Sequence, residues 1–219
     1  MAQDRYEPVE RRPIASRNLK ASQAIAAWLA ARGASPNGIS VAGVVVSALA
    51  GLAFWSTAAY PDFNRLAWLT GAVCVQLRLQ ANMFDGMVAI VSGKASRLGE
   101  LFNEAPDRFS DAFMLIGLGY AAASDPTLGY LAALGAVLTA YVRALGKVAG
   151  APQDYCGPMA KQHRALMVTI LAVYMGLAPT AWRPIEWRLP ALALAMIFVG
   201  TLVTTARRLW RAARYLQGS

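Results

Sequence analysis

Histidine occurs once in the 219 residues, at His163, and cysteine twice, at Cys74 and Cys156. So few sulfur and imidazole ligands, with no paired spacing, exclude a Cys/His metal site, and no disulfide is expected. Charge is scarce too: Asp, Glu, Lys and Arg make up 15% of the chain and hydrophobic residues 57%. Soluble domains carry roughly 25% charged residues, so the composition argues against an ordinary soluble fold. Acids number 12 against 21 bases, a net charge of +9. These bases are split among tails and loops, which excludes a nucleic-acid partner and leaves anionic lipid headgroups as their counterpart. Internal repeats, low-complexity tracts and paired broken helices of the inverted-repeat transporter type are missing. The opening "MAQDRYEPVERRPIASRNLKASQ" is charged, contains Pro8 and Pro13, and is not followed promptly by an apolar core, so no signal peptide is expected.

Long uncharged runs are what the chain has in abundance. "ISVAGVVVSALAGLAFWSTAA" (39–59), "ALMVTILAVYMGLAPTAW" (165–182) and "LPALALAMIFVGTLVTTA" (189–206) each reach the ~18–21 residues that cross a hydrocarbon core. "TLGYLAALGAVLTAYV" (127–142) is slightly shorter and extends through Ala144 and Leu145. Segments 66–81 and 109–123 become long enough only by including ionisable residues at one end, Arg78 and Asp85 in one, Asp107 and Asp111 in the other. Ionisable groups in such segments are costly and usually mark a site. The expectation is an all-α polytopic membrane protein with six transmembrane helices plus an N-terminal interfacial amphipathic helix. Residues 1–34 form the tail and interfacial helix, and 35–219 a single membrane domain.

Orientation follows from the bases. With both termini on one side, that side carries seventeen of the Lys and Arg residues, against Arg65, Arg183 and Arg188 on the other. Both termini are therefore expected in the cytoplasm, in a multi-pass protein of the inner membrane. Ser16 is placed to cap a helix running to about Arg32, with Gly33 as its stop. Leu19, Ile25, Trp28 and Leu29 share a side of that helix, which suits either the lipid interface or packing on the spans. "SPNGIS" (35–40) starts the first span, and "YPDFN", "SDP" and "RPIEW" read as outer turns. The terminal "RRLWRAARYLQGS" reads as a headgroup-facing anchor.

Five of the twelve acids, Asp85, Glu100, Glu104, Asp107 and Asp111, lie within residues 82–111. On a helix wheel Glu104, Asp107 and Asp111 fall within about 40° of Glu100, and Asn103 about 60° away. On the preceding segment Arg78, Asn82 and Asp85 share a face at i, i+4, i+7, and Gly93 and Gly99 are expected in the connection between the two segments. Carboxylates gathered at the edge of low dielectric repel one another unless a cation neutralises them. Oxygen donors of this kind suit Mg²⁺ or Mn²⁺ acting on phosphate groups. The other reading is an ion-pair network in which Arg78, Arg97 and Arg108 neutralise the acids.

The stretch beginning at Asn82 resembles the signature of the CDP-alcohol phosphatidyltransferases, D-x-x-D-G-x-x-A-R, eight residues, then G-x-x-x-D-x-x-x-D. Asp85, Gly86, Ala89, Gly99 and Asp107 match without a gap, while Asn82, Ile90 and Asn103 depart from it. The resemblance implies transfer of a phosphatidyl group from a CDP-linked lipid such as CDP-diacylglycerol to a small polar alcohol, with release of CMP, in phospholipid biosynthesis. It implies a divalent ion, Mg²⁺ or Mn²⁺, usually two of them, and a homodimer. Carried over position by position, Asp107 is the catalytic base. Asp85 and Asp107 are metal ligands, Asn82 and Asn103 can ligate only through amide oxygens, and Glu100 and Glu104 on the same stripe are placed to compensate. Asp85, Gly86, Ala89 and Gly99 would meet the nucleotide. "AYVRA" and "KQHR" resemble basic motifs that bind an acceptor or lipid phosphate, which makes Arg143, Arg164 and Lys161 the candidates. The same bases are also accounted for as loop charge on the cytoplasmic side. His163 reads as an interfacial loop residue. The lost carboxylates leave a second reading, a catalytically impaired relative that binds nucleotide, lipid or a partner without turnover.

Overall fold

In the computed structural model, residues 15–94, 97–183 and 187–218 are described. Among them the chain is all-helical. A short 3-10 turn at Ala15–Asn18 precedes α1 (Lys20–Ala31), α2 (Pro36–Ala59), α3 (Asn64–Val91), α4 (Arg97–Gly119), α5 (Pro126–Val148), α6 (Lys161–Leu177) and α7 (Leu189–Gly218). Two of the starts are written locally. Ser35 Oγ accepts the Gly38 N–H at 2.9 Å with Pro36 behind it, and Asp125 Oδ1 accepts the Leu128 N–H at 3.2 Å with Pro126 behind it. Each pairs an N-cap oxygen with a proline whose missing N–H costs nothing in the first turn. Gly93, at φ 65°, ends α3 in the left-handed region, where the Lys94 N–H reaches back to the Ala89 carbonyl at 2.9 Å.

Three local expectations are corrected. Ser16 does not cap α1: the helix begins behind Leu19, which gives no side-chain cap. The Ser16 hydroxyl donates instead to Met83 Sδ at 3.2 Å, fastening the N-terminal segment to α3. The helices around the acids run longer than their apolar cores, so α4 already contains Gly99 in its first turn rather than leaving it in the connection. At its other end α4 stops at Gly119, short of residue 123.

Helix α2 packs on α3 and α4, α5 on α7 and α4, α3 on α6, and α1 on α3. Their shared core holds Phe54, Trp68, Val75, Leu115, Leu118, Val168, Leu194 and Ile197. A smaller cluster of Ala26, Met83, Met87 and Val88 holds α1 against α3. Leu19 just before that helix and Ile25 and Trp28 within it stay exposed, so α1 packs by its small side and offers its large apolar side outward. The approach of α2 to α4 is backbone on backbone. A Cβ on Gly51 would collide with the Phe113 carbonyl, and one on Gly117 with Gly51 itself. Small residues at helix contacts are how membrane helices gain van der Waals packing when lipid is as apolar as leucine.

Among the described residues three helices, α2, α5 and α7, are long and apolar enough to cross a membrane. α3 and α4 interrupt their apolar runs with ionisable residues, and α6 has 17 residues. On α2 the exposed residues Val41, Val45, Leu49, Leu52 and Trp55 form one stripe, the outward apolar face of a helix with lipid as its solvent.

Candidate functional site

Helices α3, α4 and α6 bring their ionisable residues together near one end of the bundle. Asp85 is buried on α3, its Oδ2 accepting the Ser40 hydroxyl of α2 at 2.7 Å and its Oδ1 the Gly86 N–H at 2.6 Å. No Lys or Arg among the described residues forms an ion pair with it. Arg78, two turns earlier, donates from Nε to Ser110 Oγ at 2.7 Å and from Nη2 to Asp107 Oδ1. Lys161, the first residue of α6, places Nζ 2.6 Å from that same Asp107 oxygen and 2.9 Å from Asn82 Oδ1. The other Asp107 oxygen, Oδ2, lies 3.6 Å from Arg108 and is the less engaged of the two.

One turn further along α4, Asp111 pairs with Arg164 at 2.6 Å, both buried. Arg164 also donates to the Met159 carbonyl at 2.7 Å, while its Nε is buried without a partner. Glu104 is half exposed and takes Arg143 on both oxygens at 2.6 Å, with Arg108 at 3.3 Å. The 143 guanidinium lies 5.1 Å from the centre of the Tyr155 ring. Arg208 of α7 donates to the Thr139 carbonyl at 2.8 Å and the Cys156 carbonyl at 3.0 Å.

These groups enclose an open cavity of about 30 Å³. Its charged lining is Asp107 with Arg108, Arg143, Lys161, Arg164 and Arg208, five cations around one carboxylate. Such a concavity attracts an anion, and guanidinium groups are the residues that grip phosphate bidentately. Asp107 belongs to both halves of the site. It faces the cavity and stands close enough to Asp85 for their charges to interact.

The structure therefore brings Asn82, Asp85, Asp107, Lys161 and Arg164 into one polar cluster. Glu104 stands apart from Asp85 and serves the Arg143 side. Gly86 and Ala89 are half-buried beside Asp85 on α3. A Cβ at Gly86 would meet nothing nearer than Arg17 Nη2, at 3.8 Å. Gly99 is half-buried in α4. The side chains of Asn103, Glu100 and Arg97 lie outside the described residues. Of the ion-pair network, the pairs of Arg78 with Asp107 and of Arg108 with Glu104 and Asp107 are present. Asp85 is a buried carboxylate whose hydrogen-bond partners among the described residues are the neutral Ser40 hydroxyl and Gly86 N–H.

Among the described residues no three His, Cys, Asp or Glu side chains group to hold a metal ion. The donors present still suit a hard divalent ion at Asp85. They are carboxylate and amide oxygens, and a buried carboxylate lacking a cation is the place where one would be stabilised most. The Asn82–Asp107 side is already taken by an ammonium.

Sequence reasoning missed Arg208, Ser40 and Thr139. A signal for Arg208 existed. Thr201, Thr204, Thr205 and Arg208 recur at i, i+3, i+4, i+7 and are all buried, a polar stripe facing inward from an apolar helix. Ser40 had no such signal, because its role depends on how α2 sits against α3.

No family model matches the chain. Among curated proteins it is 26% identical over 169 residues to the inner membrane protein YnbA of Escherichia coli K12, covering 76% of this chain and 82% of that one. It is 28% identical over 190 residues to a phosphatidylinositol phosphate synthase of Streptomyces avermitilis, covering 84% and 74%. An archaetidylinositol phosphate synthase of Pyrococcus horikoshii is 26% identical over 146 residues, covering 67% and 73%. Among solved structures, the phosphatidylinositol phosphate synthase of Mycobacterium tuberculosis with CDP-DAG bound superposes with a TM-score of 0.72 at 20% identity, over 89% of this chain and 94% of that one. The same enzyme in complex with manganese and citrate gives 0.71 at 21% identity, over 87% and 88%. At such identity the superposition establishes the fold alone. In sequence and in fold, the chain is similar to phosphatidylinositol phosphate synthases, CDP-alcohol phosphatidyltransferases of the kind its Asn82–Asp107 stretch resembles.

Proposed function

We propose that this protein transfers a phosphatidyl group from a CDP-linked lipid, such as CDP-diacylglycerol, to a small alcohol that itself carries a phosphate. The observation that carries this reading is the shared position of Asp107, between a buried carboxylate and a cavity lined by five cations. The acceptor hydroxyl attacks the phosphorus bearing the lipid, the P–O bond to the CMP phosphate breaks, and CMP leaves. The hydroxyl proton goes to Asp107, and Oδ2 is the oxygen placed to take it, since Oδ1 is held by Arg78 and Lys161. Arg143 and Arg164, together with Arg208, would hold the acceptor phosphate; Lys161 stands between them and Asp107. Asp85, Gly86, Ala89 and Gly99 line the way for the nucleotide. A divalent ion at Asp85, Mg²⁺ or Mn²⁺, would offset the negative charge of the donor's pyrophosphate.

The same reading takes α2 to α7 as six membrane crossings, with α1 in the interface and both termini cytoplasmic, in the inner membrane. It also takes the protein as a homodimer. Purified protein in detergent micelles, given CDP-diacylglycerol and divalent ion, is expected to release CMP with a phosphorylated polyol and not with the free polyol. The lipid product identified by mass spectrometry would name the acceptor. The second reading, binding without turnover, is favoured by the amides at positions 82 and 103. Absence of CMP release with every acceptor, alongside retained CDP binding, would establish it instead.

A further inference from the structure

Lys161 stands where a cation is needed and is itself the cation. Its Nζ joins Asn82 Oδ1 at 2.9 Å to Asp107 Oδ1 at 2.6 Å, and 9% of the residue is exposed. The oxygens of the site thus fall into two sets. Asn82 and Asp107 are bridged by an ammonium that belongs to the chain, and Arg78 Nη2 meets the same Asp107 oxygen from α3. Asp85, on the next turn of α3, is met by the Ser40 hydroxyl and the Gly86 N–H and by no basic side chain among the described residues.

We propose that the Lys161 ammonium is a tethered cation occupying the Asn82–Asp107 side of the site, so that the chain takes a single divalent ion, at Asp85. Two pieces of chemistry support it. An ammonium offers three donors and no acceptor, so it satisfies an amide oxygen and a carboxylate oxygen together, as a bound ion would. A divalent ion on those oxygens would sit at about 2.0–2.6 Å from them and hence within a few ångströms of Nζ, where like charges in a poorly solvated site repel strongly. The neutral amide at Asn82 matches this arrangement. It accepts the ammonium hydrogen bond without adding negative charge that would call for a stronger cation. Lys161 thereby moves from the phosphate-binding set, where sequence alone placed it, to the cation side. The inference rests on the reading that Asp85 holds a divalent ion for a pyrophosphate donor.

The test is an ion count that needs no turnover. Full-length protein in lipid nanodiscs, with CDP at fixed concentration, is titrated with Mn²⁺, and free Mn²⁺ is read by electron paramagnetic resonance against empty nanodiscs containing the same CDP. Wild type is expected to bind one ion per chain, lost in Asp85→Asn. Lys161→Met is expected to bind one ion more than wild type, and Lys161→Arg to keep the wild-type count. Asn82→Asp with Lys161 retained should also keep it, since the new carboxylate pairs with the ammonium. Two ions in wild type, or an ion gained by Asn82→Asp, would overturn the proposal without recourse to the Lys161 variants. So would a folded Lys161→Met, checked by its unfolding temperature, that binds no more than wild type. If wild type binds none and Lys161→Met binds one, the Asp85 reading fails while the role of Lys161 stands.

Discussion

The basic residues at the cavity differ in how deeply their acidic partners are buried, and this decides which can be tested cleanly. Arg164 and Asp111 are 2% and 5% exposed and pair at 2.6 Å. Removing one partner leaves a charge buried alone, which costs about 3–5 kcal/mol. Arg164→Ala is therefore expected to lower the unfolding temperature sharply, and loss of activity in it would say nothing about substrate. Arg164→Met with Asp111→Leu should recover most of that stability, since well-packed apolar residues replace such a pair at little cost. Thermal unfolding of the single and double variants in one detergent reads both outcomes.

Arg143 is the better probe of the acceptor. Its partner Glu104 has a side chain 51% exposed, and exposed pairs contribute about 0–1 kcal/mol. Arg143→Ala should thus leave unfolding nearly unchanged. If the guanidinium grips an acceptor phosphate, a charged hydrogen bond worth about 1.5–3 kcal/mol is lost. The acceptor KM is then expected to rise roughly tenfold or more while the KM for the CDP-lipid stays put. Equal changes in both would remove Arg143 from the acceptor site.

At the scale of the helix, the site exists because α2, α3 and α4 lie close, and the glycines set that distance. A side chain at Gly51 has the Phe113 carbonyl and the Gly117 backbone in its way, and backbone cannot swing aside as a flexible side chain can. Gly51→Leu is expected to cost at least about 1–3 kcal/mol by overpacking, and to weaken CDP binding by displacing Ser40, which α2 brings to Asp85. Gly218→Leu, where a Cβ meets nothing, is the control. If CDP affinity survives in a destabilised Gly51→Leu chain, the Ser40 contact is dispensable.

Much at this scale was legible beforehand. The start of α2 at "SPNGIS", the turn at "SDP", the stop at Gly33 and the apolar lengths of α2, α5 and α7 are local in sequence. So was the shared face of Arg78, Asn82 and Asp85, because helical periodicity fixes it. The pairings across helices were not. Lys161 meets Asn82 across 79 positions and Arg208 meets Thr139 across 69. Partners so far apart are chosen by the rotation of one helix against another, which depends on packing at Gly51, Gly117 and their like. The basic tail of α7 illustrates the limit: Arg207 and Arg211 are exposed as an anchor requires, while Arg208 between them is buried in the site.

For the whole molecule, the arrangement in the membrane remains to be set against the fold, and parity decides it. Among the described residues three helices are apolar and long enough to cross. If only α2, α5 and α7 crossed, an odd number of passes would leave position 34, before α2, and position 218, after α7, on opposite sides. Six crossings place both on the same side, with residues 61–63 opposite. The basic residues favour six: the side bearing Arg143, Lys161, Arg164 and the α7 tail is far richer in positive charge than the side of Arg65, Arg183 and Arg188. Cysteines placed singly by Ala34→Cys, Asp62→Cys and Gly218→Cys would report this in intact cells through a membrane-impermeant maleimide. The native thiols give little background. Cys74 is buried in α3. Burial pushes the Cys156 thiol upward, and its hydrogen bond to Asp154 at 3.1 Å pushes the same way, so little reactive thiolate is present near pH 7. The expected result is labelling of Asp62→Cys from outside, with Ala34→Cys and Gly218→Cys labelled only after the cells are opened. Labelling of Gly218→Cys and not Ala34→Cys in intact cells would mean an odd number of crossings. The basic cavity and Asp107, near the start of α6, would then no longer share a side with both ends of the chain, and the cytoplasmic site for a CDP-linked donor would fall with it.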